Sequence, residues 1–183
     1  MRFSLMTYTV HAGQPGGLPT LEAMADFARE LEFAALELSA RDLADTTPAR
    51  IAQICSERGL SISCINGGAD LAAEDSAGFE AGVAQAHALV DAAAAMDCPN
   101  VMLIPGRATE PEDLPRAAAR IAEGLREAVA YGQGAGVTIS IEDFPNALAP
   151  YASIQQVRYL LDEVPGLGLT FDSGNWLVGG DDP

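Results

Sequence analysis

The pattern that most restricts the fold of this chain is an alternation of short β-rich runs with amphipathic helical stretches. Runs rich in Val, Ile, Leu and Thr begin near residues 2, 34, 60, 100, 137 and 167, roughly one per 30 residues. The stretches between them carry helix punctuation. Thr47-Pro48 reads as an N-cap with proline at the first helical position, and Gly59 as the glycine that ends the same helix. Strands joined through helices re-enter the sheet in the same direction, so the pattern predicts an α/β fold with a parallel sheet covered by helices. A (β/α)8 barrel allots about 31 residues to each unit. The 183 residues therefore read as one domain of TIM-barrel type holding six βα units and lacking the last two. The final Gly179-Gly180-Asp181-Asp182-Pro183 reads as a loop leading into a helix. The alternative is an open doubly wound sheet, which would want G-x-G-x-x-G after its first strand; no such motif is there.

The elements expected are a strand over Arg2–Thr9, then a helix opened by Leu18-Pro19-Thr20 with Leu21, Met24, Phe27, Ala28 and Leu31 on its apolar face. A strand over Ala34–Leu38 and a helix lined by Ile51, Ile54 and Cys55 follow. Next come a strand over Leu60–Ile65, an alanine-rich helix from Ser76 to Met96, and a strand over Asn100–Ile104. A helix from near Pro111 to Gln133 is expected to break at Gly132, Gly134 and Gly136. Strands over Val137–Ile141 and Leu167–Phe171 flank a last helix from Ser153 to Val164.

Composition narrows the function. The net charge of −16 repels phosphate backbones and anionic lipid, which weighs against nucleic acid and membrane surfaces as partners. Solubility alone also accounts for such a charge. Cys55, Cys64 and Cys98 show no metal-ligand or redox spacing and read as small core residues in a reducing, cytoplasmic setting. MRFSLMTYTV is too short and polar for a signal peptide, and no run reaches the length of a membrane span.

In a parallel barrel the chemistry collects at the C-terminal ends of the strands. Those ends carry His11, Glu37, Asn66, Arg107, Glu142, and Asp172 with Asn175. Glu142 directly continues the apolar run VTISI. A carboxylate there is costly to bury unless it is paired or holds a metal. Asp172 ends the next strand, so the two carboxylates are placed to share one ion or flank one substrate. A helix N-cap is the competing role for Asp172, since Ser173-Gly174-Asn175 follow it. Asn175 could reach a substrate hydroxyl or simply shape a turn. Trp176 could wall a sugar pocket or fill the core. His11 and Asn66 are rim candidates for substrate, Glu37 for substrate or an ion pair, and Arg107 for a phosphate. His87 reads as a helix-packing residue.

The segments FAALELS, VTISIEDFPN and LTFDSGNWLVGGDDP, in this order and spacing, resemble the xylose isomerase-like TIM-barrel superfamily and within it the sugar phosphate isomerase/epimerase group. The resemblance implies a divalent metal (Mn2+, Mg2+ or Co2+, with Zn2+ as a further choice), with Glu142 and Asp172 as two of its ligands. The family's His and final Glu would lie on strands seven and eight, and Asn175 stands where many members have His. The implied activity is isomerisation or epimerisation of a ketose or sugar phosphate through an enediolate, Glu142 acting as base and metal ligand. Dehydratases and lyases share this fold. Two other readings compete. An apurinic-endonuclease-like member would want more histidines and a basic face. A non-catalytic fragment would associate through exposed first and sixth strands, as a homo-oligomer.

Overall fold

The computed structural model describes residues 2–12, 20–44 and 46–181. The expected helix opening at Leu18-Pro19 and the last two residues of the terminal loop lie outside them. Six strands form one sheet: β1 (Ser4–Met6), β2 (Ala35–Ser39), β3 (Ser61–Gly68), β4 (Asn100–Ile104), β5 (Thr138–Glu142) and β6 (Gly168–Thr170). They lie side by side in chain order and every pairing is parallel. A doubly wound sheet reverses its strand order at a switch point. The unbroken order here is that of a barrel wall, with β1 and β6 at its two edges.

The helices are α1 (Thr7–Ala12), α2 (Leu21–Glu30), α3 (Pro48–Ser56), α4 (Ser76–Ala95), α5 (Leu114–Ala135), α6 (Ile154–Glu163) and α7 (Ser173–Gly179). Their starts are written in the sequence. Thr20, Thr47, Asp75 and Ser153 each cap a helix by accepting a backbone N–H, and Ser153 forms a reciprocal box with Gln156. Among the described residues no helix is long and apolar enough to cross a membrane.

The strand side chains alternate between two faces. Leu36, Leu38, Ile65, Val101, Leu103, Ile139 and Ile141 point to the helices and are at most 1% exposed. With Ile51, Ile54, Val90, Ile121, Leu125 and Leu160 from the helices they form the core. Cys55 and Cys98 are free and buried in this core, as their apolar surroundings predict, whereas Cys64, also free and buried, lies outside it. Burial lifts the Cys55 thiol to about 11 and the Cys64 thiol to about 12.

Some expectations fail for identifiable reasons. The first strand stops at Met6, because Thr7 opens a helix whose hydroxyl donates to Asp42 (2.5 Å) and accepts from the Ser39 N–H (3.0 Å). Phe27 and Leu31 lie on the exposed side of α2, which buries Met24, Ala25 and Ala28 instead. β3 runs on through Asn66-Gly67-Gly68 rather than ending at Ile65. Of the three glycines expected to break α5, only Gly136 does so, as a left-handed cap at φ 74°. Gly132 stays helical where a Cβ would stand 2.6 Å from the Val137 carbonyl oxygen. The helix that Asp172 is a candidate to cap is α7, and of the terminal loop Gly179 belongs to it and Gly180 caps it.

Two helical glycines also fix the loop after β3. Gly82 of α4 lets the Asp70 carbonyl come against the helix backbone, where a side chain would collide. Gly124 of α5 leaves room for Leu71, whose side chain would stand 2.9 Å from a Cβ there. Leu71 is fully buried as a result.

Candidate functional site

The uncovered face of the sheet carries polar side chains that are hydrogen-bonded across strands. Asn66 Nδ2 donates to Glu37 Oε1 at 3.0 Å. Asn100 Nδ2 donates to Cys64 Sγ and Ser140 Oγ, each at 3.1 Å, and Ser140 Oγ meets Thr170 Oγ1 at 3.1 Å. The second chain links four strands, from β3 to β6. Each of its groups is a short polar residue at an alternate strand position, so it lands on the same face as its neighbour.

Glu142 stands at the top of this face. It ends β5 and pairs in register with Thr170. Half-buried, it is pushed up to about 7, first by desolvation and then by the like charges of Asp172, Asp143 and Glu37. Three other carboxylates thus lie near enough to act on Glu142, and no cation is among the groups that do.

The ends of β5 and β6 are tied together. Asp143 is fully buried; its Oδ1 accepts the Asp172 N–H at 3.2 Å and its backbone carbonyl accepts from Asn175 Nδ2 at 2.8 Å. Burial pushes its carboxyl pKa up from the ordinary aspartate value, and its Oδ2 has no partner among the described residues. Asp172 Oδ1 accepts the N–H groups of Gly174 (2.7 Å) and Asn175 (3.2 Å) and so caps α7. The N-cap role is thus realised, and Oδ2 is the atom left for another partner. Sequence reading missed Asp143. Its signal was a second carboxylate directly after a core strand, at the position that alternation turns back toward the core.

The other candidates divide. Glu37 and Asn66 face the site as a pair. Arg107 is exposed beyond β4, on the wall of a cleft. His11 does not project from a loop: it sits in α1, with Nε2 2.8 Å from Asp42 Oδ1, and Asp42 is held in turn by Thr7 and the Ser39 N–H. Asn175 is spent on the Asp143 carbonyl. Trp176 is a core residue, 3% exposed, and its ring does not offer an open wall. His87 stacks on Tyr131 with centroids 4.0 Å apart, a packing role.

The family described as xylose isomerase-like TIM barrel matches residues 25–183. The chain belongs to that family. No curated protein matches it. Among solved structures, it is similar to D-psicose 3-epimerase from Clostridium cellulolyticum H10 (14% identical, TM-score 0.83, covering 100% of this chain and 67% of that one). It is also similar to the probable 3-DHS dehydratase AsbF of Bacillus anthracis (21% identical, TM-score 0.80, 100% and 67%). A third is protein SMc04130 of Sinorhizobium meliloti 1021 (19% identical, TM-score 0.80, 94% and 63%). The chain spans about two thirds of the length of these structures.

In a xylose isomerase-like barrel the polar sheet face just described is the inner one. The divalent metal that membership implies can be tested against the donors present. The corner offers oxygen donors only, suited to Mg2+ or Mn2+. The absence of any cation among the groups that act on Glu142 fits a bound cation there. Among the described residues no group of three or more His, Cys, Asp or Glu side chains is arranged to hold a metal. The fit is that of a partial site, two carboxylates rather than a full set.

Proposed function

We propose that this chain carries the proton-transferring half of an isomerase or epimerase site for a ketose or sugar phosphate. The observation that supports it is the placement of Glu142: a carboxyl at the end of β5, in register with Thr170 of β6, with Asp172 on the next strand end and no cation beside it among the described residues. A carboxylate so placed is suited to removing a proton from carbon beside a carbonyl and returning it. Glu142 and the free Oδ2 of Asp172 would hold a divalent ion, which when bound supplies Lewis-acid polarisation of the substrate carbonyl. Glu142 takes the α-proton and the substrate becomes an enediolate. Return of the proton by Glu142 to the neighbouring carbon gives the isomer, while the epimer needs a proton from the opposite face, the role that the resemblance gives to the family's final Glu. Asp143 keeps Asp172 at a fixed distance from Glu142 by holding its N–H. The Glu37–Asn66 pair presents one acceptor and one donor for substrate hydroxyls. The likeness to a probable dehydratase supports a second reading, in which the same proton loss expels a β-hydroxyl as water.

The test is solvent exchange. Protein supplied with Mn2+ is incubated with ketoses in D2O, and loss of the α-proton is followed by NMR. Glu142→Gln should slow exchange by about 10²–10⁴-fold. Unchanged exchange in that variant would remove Glu142 as the base. Titration of Mn2+ into metal-stripped protein gives an independent readout. Binding should be lost in the Glu142→Ala/Asp172→Ala variant, and equal binding would mean that the ion is held elsewhere.

A further inference from the structure

We infer that the cleft over the ends of β3, β4 and β5 binds the anionic end of the substrate, a phosphate or carboxylate, through Arg107. The cleft measures about 760 Å³, within the range of ligand sites. It adjoins Glu142: Leu103 pairs with Ile141, so Ile104, on its wall, stands level with Glu142 on the next strand. Phe144, two residues past Glu142, forms the facing wall. A ligand with its reacting carbon at Glu142 would extend into this space.

The donor inventory of the cleft decides the class of ligand. Arg50, Arg58, Arg116, Arg120 and Arg126 each pair with a carboxylate. Arg107, like Arg2, Arg29, Arg41 and Arg158, has no side-chain hydrogen bond or ion pair among the described residues, and of these five it is the one that lines the cleft. Asn146 spends Oδ1 on the Leu148 N–H at 2.9 Å and leaves Nδ2 unpartnered among those residues, as are the Gln85 amide and the Thr109 hydroxyl. The one carboxylate on the wall, Asp70, accepts the Ala72 N–H at 3.2 Å through Oδ1. Among the described residues Arg107 is the one cation on the lining, in a chain of net charge −16, and Asp70, the one carboxylate, is turned to the Gly106 backbone and the Ala72 N–H. Guanidinium is suited to a two-point grip on phosphate or carboxylate.

Arg107 is also held by its neighbours. On one side the Gly106 carbonyl accepts from Tyr151 Oη at 2.9 Å. On the other the buried Ala108 donates its N–H to the Leu148 carbonyl at 2.8 Å. The backbone that launches the side chain is fixed at both ends, as a recognition arginine requires.

The inference rests on the proposed site at Glu142 for the rest of the ligand, but not for the anion, so two probes separate them. Calorimetry would compare D-fructose, D-fructose 6-phosphate and D-fructuronate, which share a skeleton and differ at C6, against wild type and Arg107→Gln. Inorganic phosphate serves as a probe independent of any sugar. At least one charged ketose should bind about tenfold tighter than fructose, and Arg107→Gln should erase that difference while leaving fructose unchanged. The pair of charged ketoses tells phosphate from carboxylate. Equal affinity for all three sugars, or a charge preference that survives Arg107→Gln, would overturn the inference. If phosphate binding depends on Arg107 while no ketose binds, the anion site stands and the ketose reading falls.

Discussion

The two faces of β5 differ in chemistry. Ile139 and Ile141 of β5 point to the helices at 1% and 0% exposure, while Ser140 and Glu142 between and after them point the other way into a hydrogen-bonded polar layer. A period of two residues along the strand separates a face that holds the fold together from a face left for chemistry. The lesson is that stability and reactivity here are encoded in the same five residues, and that each should answer to different substitutions.

The largest effect expected is on the helix-covered side. Ile139→Ala should cost about 2–5 kcal/mol in urea unfolding, because it opens a cavity under α5. A loss below about 1 kcal/mol would mean that the two faces are not as unequal as burial implies. On the polar side, Asn100→Ala strips the donor from both Cys64 and Ser140 and should cost about 1–3 kcal/mol. A double-mutant cycle with Ser140→Ala should show coupling, since both share one network.

Glu142→Gln should move stability in the opposite direction. A carboxyl whose folded value lies near 7, above its ordinary 4.5, favours the folded state when protonated. That contribution is complete below the unfolded value and is lost as pH rises toward 7. At pH 8 the metal-free protein holds an ionised, desolvated Glu142, and removing the charge should raise Tm by about 2–4 °C. At pH 5 the gain should be much smaller. Equal gains at both pH values would show that the carboxyl is not shifted. The smallest effect expected is none: the three thiols should resist alkylation in the native protein, since burial holds them protonated, and react together on unfolding.

Much of this was legible in the sequence, in proportion to how local the signal was. The cap at Thr47, and strands such as Asn100–Ile104, depend on a few adjacent residues and were placed correctly. Glu142 stood out because a carboxylate ending an apolar run is locally anomalous. What stayed hidden depends on contacts across the fold. Thr7 turns a strand into a helix through Asp42, 35 residues away. The cross-strand chain from Cys64 to Thr170 exists only once the register is set. Asp143 and Asn175 tie two strand ends that lie 32 residues apart. Trp176 reads equally well as wall or core until its neighbours are known.

The glycines that pin the loop after β3 bear on selectivity. A loop pressed against two helices, with no side chain between, cannot breathe without disturbing both. Ligands entering the cleft therefore meet a wall already in its final shape, and little ordering entropy remains to be lost on binding. The same stiffness forbids accommodation. A ligand whose outline does not match cannot recruit this wall by induced fit, so along it discrimination rests on shape, at the moment of encounter.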